Sequence, residues 1–472
     1  MKWNNARELC RDLQSGQASA EELMHETYER IDRVNPELNA LVALLDKDQA
    51  LALARQADQV PIAQRGPLHG LPMAPKDAVQ VKGFATSWGF VPWSKTIAEE
   101  DDGLASRMRS AGAIFIGRSN MPEFGLGSNT FNSLYGTTRN PYNTDKTCGG
   151  SSGGAAVALA TGMLPLADGS DMGGSLRNPA SFCNVAGFRP SIGRMPYTRG
   201  FGWFARLSTT GPMARNVADL ALLFSVQAGP DAHDPLTLPE SGEHFLDAYV
   251  PLDSLAGLKI AYAPELDGVP IDPEVLSVMA SAADTFSDLG AEVVSTVPPL
   301  KGAMDVFQAQ RAAGLSSLGN NLDRTIPDWR EYAKATAIGN IEKGQQMSAH
   351  EIFQSEARRS IIYENMVEFF QEHDAIILPA AQVPPFDLSQ EWVSEINGQT
   401  MPSYIDWMTI CCAITVTGFP AISVPGGFTE DGLPIGVQIV GKPRGDLALL
   451  RLAHTYEAAT NHYQQKPAIC AD

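Results

Sequence analysis

The chain has 472 residues, of which 44% are hydrophobic and 19% charged, a composition typical of a folded globular protein and not of a disordered or fibrous one. Its formal net charge is −19 and it has no Lys/Arg-rich run, which argues against a nucleic-acid-binding surface. No signal-peptide core or run of 18 apolar residues occurs, and the six cysteines lack CxxC spacing, so we expect reduced thiols in a cytoplasmic protein without a membrane partner.

The first 60 residues predict two helices. Ser19 and Glu22 have the spacing of a capping box, and apolar residues recur behind them at helical spacing up to Pro36, before which we expect the first helix to end. A second helix is predicted over 48–59. The stretch GPLHGLPMAPKDAV that follows has the Gly/Pro punctuation of a short strand and a turn, and it carries Lys76.

Strands and helices alternate through the rest of the chain. Further helices are predicted over 101–111, 155–161, 217–228, 272–289 and most of 302–373. Strands are predicted over 113–116, 164–167, 258–263, 291–296, 375–378, 421–424 and 435–440. This alternation predicts an α/β fold with a large mixed, mostly parallel central sheet that helices cover on both faces.

The composition has no break that would mark a boundary between independent domains. We therefore expect one domain over residues 1–472, although chains of this length often divide into two. Within it we distinguish N-terminal helices, a catalytic core, a variable and largely helical substrate-side region, and a segment that completes the core. These four parts cover 1–60, 66–230, 231–400 and 401–472.

Glycine and serine are concentrated in two clusters between Cys148 and Pro190. The first cluster, GGSSG, matches G-x-S-x-G, the nucleophile-elbow pattern of α/β-hydrolases, which would make Ser151 a nucleophile. That mechanism needs a histidine base further along the chain. The histidines after Ser151 lie mostly in helical or linker contexts, so an esterase of this kind is an alternative and not the main hypothesis.

The second cluster, DMGGS, supports a different hypothesis. It follows a predicted strand and precedes a segment that is expected to become helical. In that position the N–H groups of Met172, Gly173, Gly174 and Ser175 are placed to converge as an oxyanion hole. The hydroxyl of Ser175 would then lie beside its own oxyanion donors.

Ser175 also needs a base, and the candidate is Lys76. A lysine accepts a proton only when it is neutral, which requires burial that lowers its pKa by several units. The hydroxyls of Ser151 and Ser152 are available to hold it. These residues predict a relay in which Lys76 takes a proton from Ser151, which takes one from Ser175.

Other polar residues near these clusters are expected to support the site and not to react. Ser152 is expected to be a hydrogen-bonding partner. Asp171 and Arg177 are expected to fix the loop, because the guanidinium fork suits a carboxylate or backbone carbonyls. Cys183 has no cationic neighbour in the sequence to stabilise a thiolate and is expected to lie in the core.

At these residues the chain resembles the amidase signature family of serine hydrolases. The similarity is carried by GGSSGG, a small-residue helix and GSDMGGSLRNPASFCNVAGFRPS, by LHGLPMAPKDAV around Lys76, and by GAIFIGRSNMPEFG and TGFPAISVPGGFTEDGLPIGVQIVG. The spacing of Ser151 and Ser175 is also that of the family. The resemblance covers most of 10–230 and 400–460 and is weak over 231–400.

The resemblance implies that Ser175 is the nucleophile, that Ser151 is a bridging serine preceded by a cis peptide bond, and that Lys76 is the base. Ser175 would form an acyl-enzyme from a small-molecule amide, and water would release the acid. Hydrolysis of an ester, carbamate or urethane is the same acyl transfer and is permitted. No metal or cofactor is implied, and a homodimer is allowed.

The same family implies a second role, as the glutaminase subunit of a tRNA-dependent amidotransferase, which shares the two serines and the lysine. Asn178 stands where that subunit usually has Gln, and the stretch after Pro190 also differs from it. These departures favour a stand-alone amidase.

Aromatic residues outside the serine clusters are candidates for an apolar substrate pocket that favours hydrophobic or aryl amides. The competing interpretation is that most of them pack in the core. The candidates are Phe124, Trp203, Phe204, Tyr404 and Trp407, together with Trp88.

Overall fold

The computed structural model describes residues 5–197, 206–266 and 268–470. The α-helices are α1 (Ala6–Ser15), α2 (Ala20–Leu38), α3 (Lys47–Asp58), α4 (Gly103–Ser110), α5 (Gly153–Ala160), α6 (Arg177–Phe182), α7 (Val217–Gln227), α8 (Pro273–Asp288), α9 (Ala303–Thr325), α10 (Ala335–Gln346), α11 (Ala349–Glu372), α12 (Thr409–Thr417) and α13 (Asp446–Thr460). The strands of the large sheet are β1 (Leu166–Asp171), β2 (Ala186–Arg189), β3 (Thr209–Ala214), β4 (Lys259–Tyr262), β5 (Glu292–Ser295), β6 (Ala375–Pro379), β7 (Ala421–Phe428) and β8 (Pro434–Gly441).

The large sheet has the strand order β5-β4-β6-β8-β7-β2-β3-β1. Only β4 makes parallel pairs, with β5 and β6, and every other neighbouring pair in this sheet is antiparallel. The α/β class and the mixed sheet are therefore confirmed, whereas the expectation of a mostly parallel sheet is wrong. The reason lies in the connections, because β7 and β8 are joined by residues 429–433 alone, and a turn this short joins only antiparallel strands.

The predicted order of strand, helix and strand over 258–296 is confirmed, and these elements form a βαβ unit. Strand β4, helix α8 and strand β5 follow one another in the chain, and the two strands pair in parallel from Lys259 opposite Glu292 to Tyr262 opposite Ser295. A helix of this length supplies the crossover that parallel strands require.

Helix α2 begins as predicted and ends later than predicted. The Ser19 hydroxyl accepts the N–H groups of Glu21 and Glu22, while the helix continues through Pro36 to Leu38. The helix is capped at Asn39, whose backbone lies in the left-handed region (φ 51°), and Asn35 Oδ1 accepts the N–H groups of Ala40 and Leu41 beyond it, both at 2.9 Å. Proline near the end of a helix removes only one of its hydrogen bonds.

Helix α5 is the buried element that carries the first serine cluster at its N-terminus. Every residue from Gly153 to Ala160 is buried. At Gly154 the helix approaches other main chain so closely that a Cβ atom would lie 2.3 Å from Asn120 N and 2.4 Å from Ala40 O. Only glycine permits this approach, which fixes where Ser151 and Ser152 enter the site.

A contiguous cluster of buried hydrophobic residues extends from Ala6 to Tyr456 and surrounds the large sheet. Helices α6, α8 and α13 all pack against strands β7 and β8. In the part of the chain that the structure describes, no helix combines the length and the apolar character needed to cross a membrane.

Substitution of Gly154 tests the close approach of α5. Gly154→Ala should lower the free energy of unfolding by about 1 to 3 kcal/mol, because the added methyl overpacks backbone that has no rotamer with which to move away. The matched control is Gly339→Ala, in exposed helix α10, where no atom lies within 4 Å of the added Cβ. That change should raise stability by up to about 1 kcal/mol. Urea unfolding in which both variants are equally stable would contradict the packing described.

Candidate active site

Lys76 lies in the turn that follows the short strand Pro72–Met73, and its side chain is fully buried. Its Nζ lies within hydrogen-bond distance of three hydroxyls, at 2.7 Å from Ser151, 3.0 Å from Ser152 and 3.0 Å from Ser170. The sequence predicted the first two partners. It did not predict Ser170. The only feature of the sequence that points to this residue is its position next to Asp171 at the end of a strand.

The surroundings of Lys76 favour its neutral form. Among the described residues no carboxylate lies within ion-pair distance of its Nζ, and Asp168 accepts the Lys76 backbone N–H instead, at 3.2 Å. Burial lowers the pKa of Lys76 to about 7, against the opposing effect of the Asp168 and Asp171 carboxylates. Near pH 7 a substantial fraction of Lys76 is therefore neutral and able to accept a proton.

The two serine clusters are in direct contact. The Ser152 N–H donates to the Ser175 carbonyl at 3.1 Å, and the peptide bond between Gly150 and Ser151 is cis, as the resemblance implies. Strand β1 runs so close to the first cluster that a Cβ atom at Gly169 would lie 2.6 Å from Ser152 Oγ. The fold thus brings Lys76, the first cluster and the second cluster to one place.

The loop that carries Ser175 leads from the end of β1 into α6. Within the described part of the chain the N–H groups of Met172, Gly173 and Ser175 donate to no other residue, whereas the Gly174 N–H donates to Asp171 Oδ1 at 2.9 Å. The inclusion of Gly174 among the oxyanion donors is therefore wrong, because the carboxylate occupies its N–H. Ser175 is half-buried, so a substrate can reach it, whereas Lys76 has no exposed surface.

Asp171 and Arg177 form a fully buried ion pair that fixes this loop. Arg177 Nε and Nη2 donate to the two Asp171 oxygens at 2.9 and 2.8 Å, and Asp171 Oδ2 also accepts the Leu176 N–H at 3.1 Å. Burial alone would raise the pKa of Asp171, but the Arg177 guanidinium outweighs it and holds that pKa well below its usual range. Asp171 is therefore charged at neutral pH, and in that form it accepts the hydrogen bonds that hold the loop.

Phe124 lies near the serines. Its ring packs against Phe90 and Trp93, with centroids 4.8 and 5.6 Å away. The next residue, Gly125, is so close to the first cluster that a Cβ atom there would lie 3.6 Å from Ser151 Oγ. The main chain after Phe124 therefore lies beside the first serine cluster, whereas the Phe124 ring packs in an aromatic group with Phe90 and Trp93.

The other pocket candidates lie in different surroundings. The Tyr404 hydroxyl accepts a hydrogen bond from Arg311 at 2.6 Å, and its ring lies beside Gly127 on the segment that follows Phe124. Trp407 is 1% exposed and stacks on Phe182, which favours the competing interpretation that this residue packs in the core. Trp203 and Phe204 lie outside the described residues.

The structure adds two residues that the sequence did not reveal. A Cβ atom at Gly173 would lie 3.0 Å from Phe307 Cζ, on α9, and 3.0 Å from Cys412 Sγ, on α12. Both side chains therefore touch the loop that carries Ser175. No signal in the sequence distinguishes Phe307, because it lies in the region of weak resemblance and on a helix whose packing partners are distant in the chain.

Comparison of the chain with known proteins agrees with this geometry. The amidase family model matches residues 22–450. An acylamidase of Rhodococcus erythropolis is 33% identical over 99% of this chain and 98% of its own length. A glutamyl-tRNA(Gln) amidotransferase subunit of Chromohalobacter salexigens is 32% identical over 98% of this chain and 97% of its own length.

Solved structures show the same relationship. The crystal structure of a bacterial aryl acylamidase of the amidase signature family superposes with a TM-score of 0.90 and 28% sequence identity, covering 99% of this chain and 98% of the other. The chain therefore belongs to the amidase signature family. It is an amidase, a hydrolase that acts on carbon–nitrogen bonds.

The contrast between Phe307 and Trp407 can be tested by selectivity. Trp407→Ala should lower the free energy of unfolding by about 3 to 5 kcal/mol and leave the ratio of kcat/KM for an anilide over acetamide unchanged, because this ring packs only in the core. Phe307→Ala should lower that ratio, because it removes apolar surface next to the Ser175 loop. A changed ratio in Trp407→Ala, or an unchanged one in Phe307→Ala, would contradict these assignments.

Proposed function

We propose that this chain hydrolyses hydrophobic or aryl amides through an acyl-enzyme on Ser175, with Lys76 and Ser151 relaying protons. The observation that carries the proposal is the fully buried Lys76, whose Nζ lies 2.7 Å from Ser151 Oγ and has hydroxyls as its side-chain partners. A lysine held in this way serves as a base, because burial disfavours its charged form.

The reaction begins when Lys76 accepts the proton of Ser151, which accepts the proton of Ser175. Ser175 Oγ then attacks the carbonyl carbon, and the developing oxyanion accepts hydrogen bonds from main-chain N–H groups at Met172, Gly173 and Ser175. The C–N bond breaks as the leaving nitrogen receives its proton through Ser151. Water, deprotonated by the same relay, attacks the ester carbonyl, releases the acid and restores Ser175.

The apolar character of the substrate is inferred from the side chains around the Ser175 loop. Phe307 and Cys412 touch the loop, and Phe124 directly precedes Gly125, which lies beside the first serine cluster. Buried aromatic surface favours an acyl or amine group of the same kind. The similarity to an acylamidase and to an aryl acylamidase supports this choice. Esters and carbamates, including urethanes, undergo the same acyl transfer.

A second candidate function is that of a glutaminase subunit, which the similarity to the glutamyl-tRNA(Gln) amidotransferase favours. The side-chain chemistry is the same, and the two functions differ in substrate and in the need for a partner. Assays of the purified chain alone against glutamine and against an anilide separate them. Turnover of glutamine only, or only with added partner subunits, would replace our proposal by this one.

The alternative in which Ser151 is the nucleophile of an esterase finds less support. Ser151 is 2% exposed and is hydrogen-bonded to the Lys76 amine, whereas Ser175 is half-buried beside free N–H groups. A buried hydroxyl that already bonds the base suits a relay better than attack on a substrate.

Mass spectrometry tests the nucleophile. After incubation with a panel of chromogenic amides, esters and carbamates, the intact wild-type chain should gain an acyl group that maps to Ser175, and Ser175→Ala should gain none. Ser151→Ala should slow acylation severely, because the relay is broken while the nucleophile is kept. An adduct that persists in Ser175→Ala, or that maps to Ser151, would refute the assignment.

The pH dependence tests the base. Because the pKa of Lys76 is lowered to about 7, the amine is protonated below that pH and cannot accept a proton. We expect kcat/KM for an anilide to fall about tenfold per pH unit on the acid side of pH 7 and to level off at alkaline pH. Lys76→Ala should abolish amide hydrolysis. Full activity of this variant at neutral pH would contradict the relay.

A further inference from the structure

The segment before Ser151 is held by a hydroxyl that the mechanism does not use. Ser128 Oγ donates to the Gly150 carbonyl at 2.5 Å and accepts the Gly150 N–H at 3.2 Å. Ser128 is 2% exposed. Ser128 is thus hydrogen-bonded to both polar groups of the Gly150 backbone, the residue directly before Ser151.

Asn178 forms a further hydrogen bond with Ser128. Its Nδ2 donates to Ser128 Oγ at 3.1 Å. The single hydroxyl hydrogen of Ser128 is already given to the Gly150 carbonyl, so any further partner of Ser128 Oγ has to be a donor. The network therefore fixes which end of the Asn178 amide faces Ser128.

Asn178 also touches the loop of the proposed nucleophile. Its backbone N–H donates to the Gly174 carbonyl at 2.7 Å. Its side chain fills the space beside Gly174, since a Cβ atom there would lie 2.8 Å from both Asn178 Nδ2 and Oδ1. One buried side chain thus contacts the residue before Ser175 and, through Ser128, the residue before Ser151.

We propose that Asn178 and Ser128 are positioning residues that set the distance between the Ser151 and Ser175 hydroxyls. The inference rests on the proposed function, in which a proton passes between these two groups. A hydrogen bond to Lys76 holds the Ser151 side chain. The Asn178–Ser128 pair holds the main chain directly before Ser151 and links it to the loop that carries Ser175. A displacement of about 1 Å at a reacting group is enough to cost about a hundredfold in rate.

The experiment compares Ser128→Ala, Asn178→Ala and the double variant with wild type, using p-nitroacetanilide as substrate. Each single variant should lower kcat by about 10- to 100-fold and leave KM within about twofold, because both side chains are buried, at 2% and 1% exposed. The double variant should be no slower than the worse single variant by more than about twofold, since both residues act through one chain of hydrogen bonds.

Ser181→Ala is the matched control for a merely structural effect. Ser181 is on the same helix as Asn178, is 3% exposed and accepts the Gly436 N–H at 2.7 Å, away from the serines. Its loss should lower Tm and leave kcat unchanged. If Ser128→Ala does not fold, Asn178→Ala carries the same test, because Asn178 reaches Gly150 only through Ser128.

Wild-type kcat in either single variant, a loss no larger than that of Ser181→Ala, or effects that multiply in the double variant would overturn the inference. Ser175→Ala in the same assay keeps the proposed function apart from it. An active Ser175→Ala refutes the function. An inactive Ser175→Ala with unimpaired Ser128→Ala and Asn178→Ala refutes the positioning role alone.

Discussion

The site depends on one interaction, the burial of the Lys76 amine among hydroxyls and away from any carboxylate among the described residues that could pair with it. An ammonium in such a place lacks both water and a counter-ion, so its neutral form is favoured. The fold supplies its partners from separate elements, with Ser170 at the end of β1 and Ser151 and Ser152 at the start of α5. The glycines at 154 and 169 matter because they let this helix and this strand come close enough to meet the amine.

Asp171, the residue after Ser170, has the opposite surroundings. Asp171 is as deeply buried as Lys76, yet a guanidinium fork keeps it charged. The surroundings thus favour the neutral form of Lys76 and the charged form of Asp171. This difference suits the two groups to distinct tasks. In the mechanism that we propose, the neutral amine exchanges protons, whereas the charged carboxylate holds the backbone of the Ser175 loop by hydrogen bonds. It also takes the N–H of Gly174, which leaves fewer donors for an oxyanion than the glycine pattern alone indicated.

Local patterns in the sequence predicted much of this. Glycine and serine spacing, together with a lysine in a Gly/Pro-rich turn, identified Lys76, Ser151 and Ser152, which the structure brings into contact. Periodicity located most helices and strands, because it reflects which face of an element is buried. The failures concern long-range packing. Strand partners, the core position of Trp407, the contact of Phe307 with Gly173 and the role of Ser170 depend on residues far apart in the chain, and no local pattern encodes those pairings.

The contact of Phe307 with Gly173 divides the site between two parts of the chain. The polar machinery comes from residues 76–177, whereas this aromatic wall comes from α9, which packs on α10, α11 and α12. Residues that are in contact or share hydrogen bonds are energetically coupled, and Arg177 also donates to the Cys411 carbonyl and the Thr415 hydroxyl on α12. A change in these helices therefore reaches the Ser175 loop through Gly173 and through Arg177. The helices that would shape the substrate pocket thus also help to hold the loop, and exchanging them alters both together.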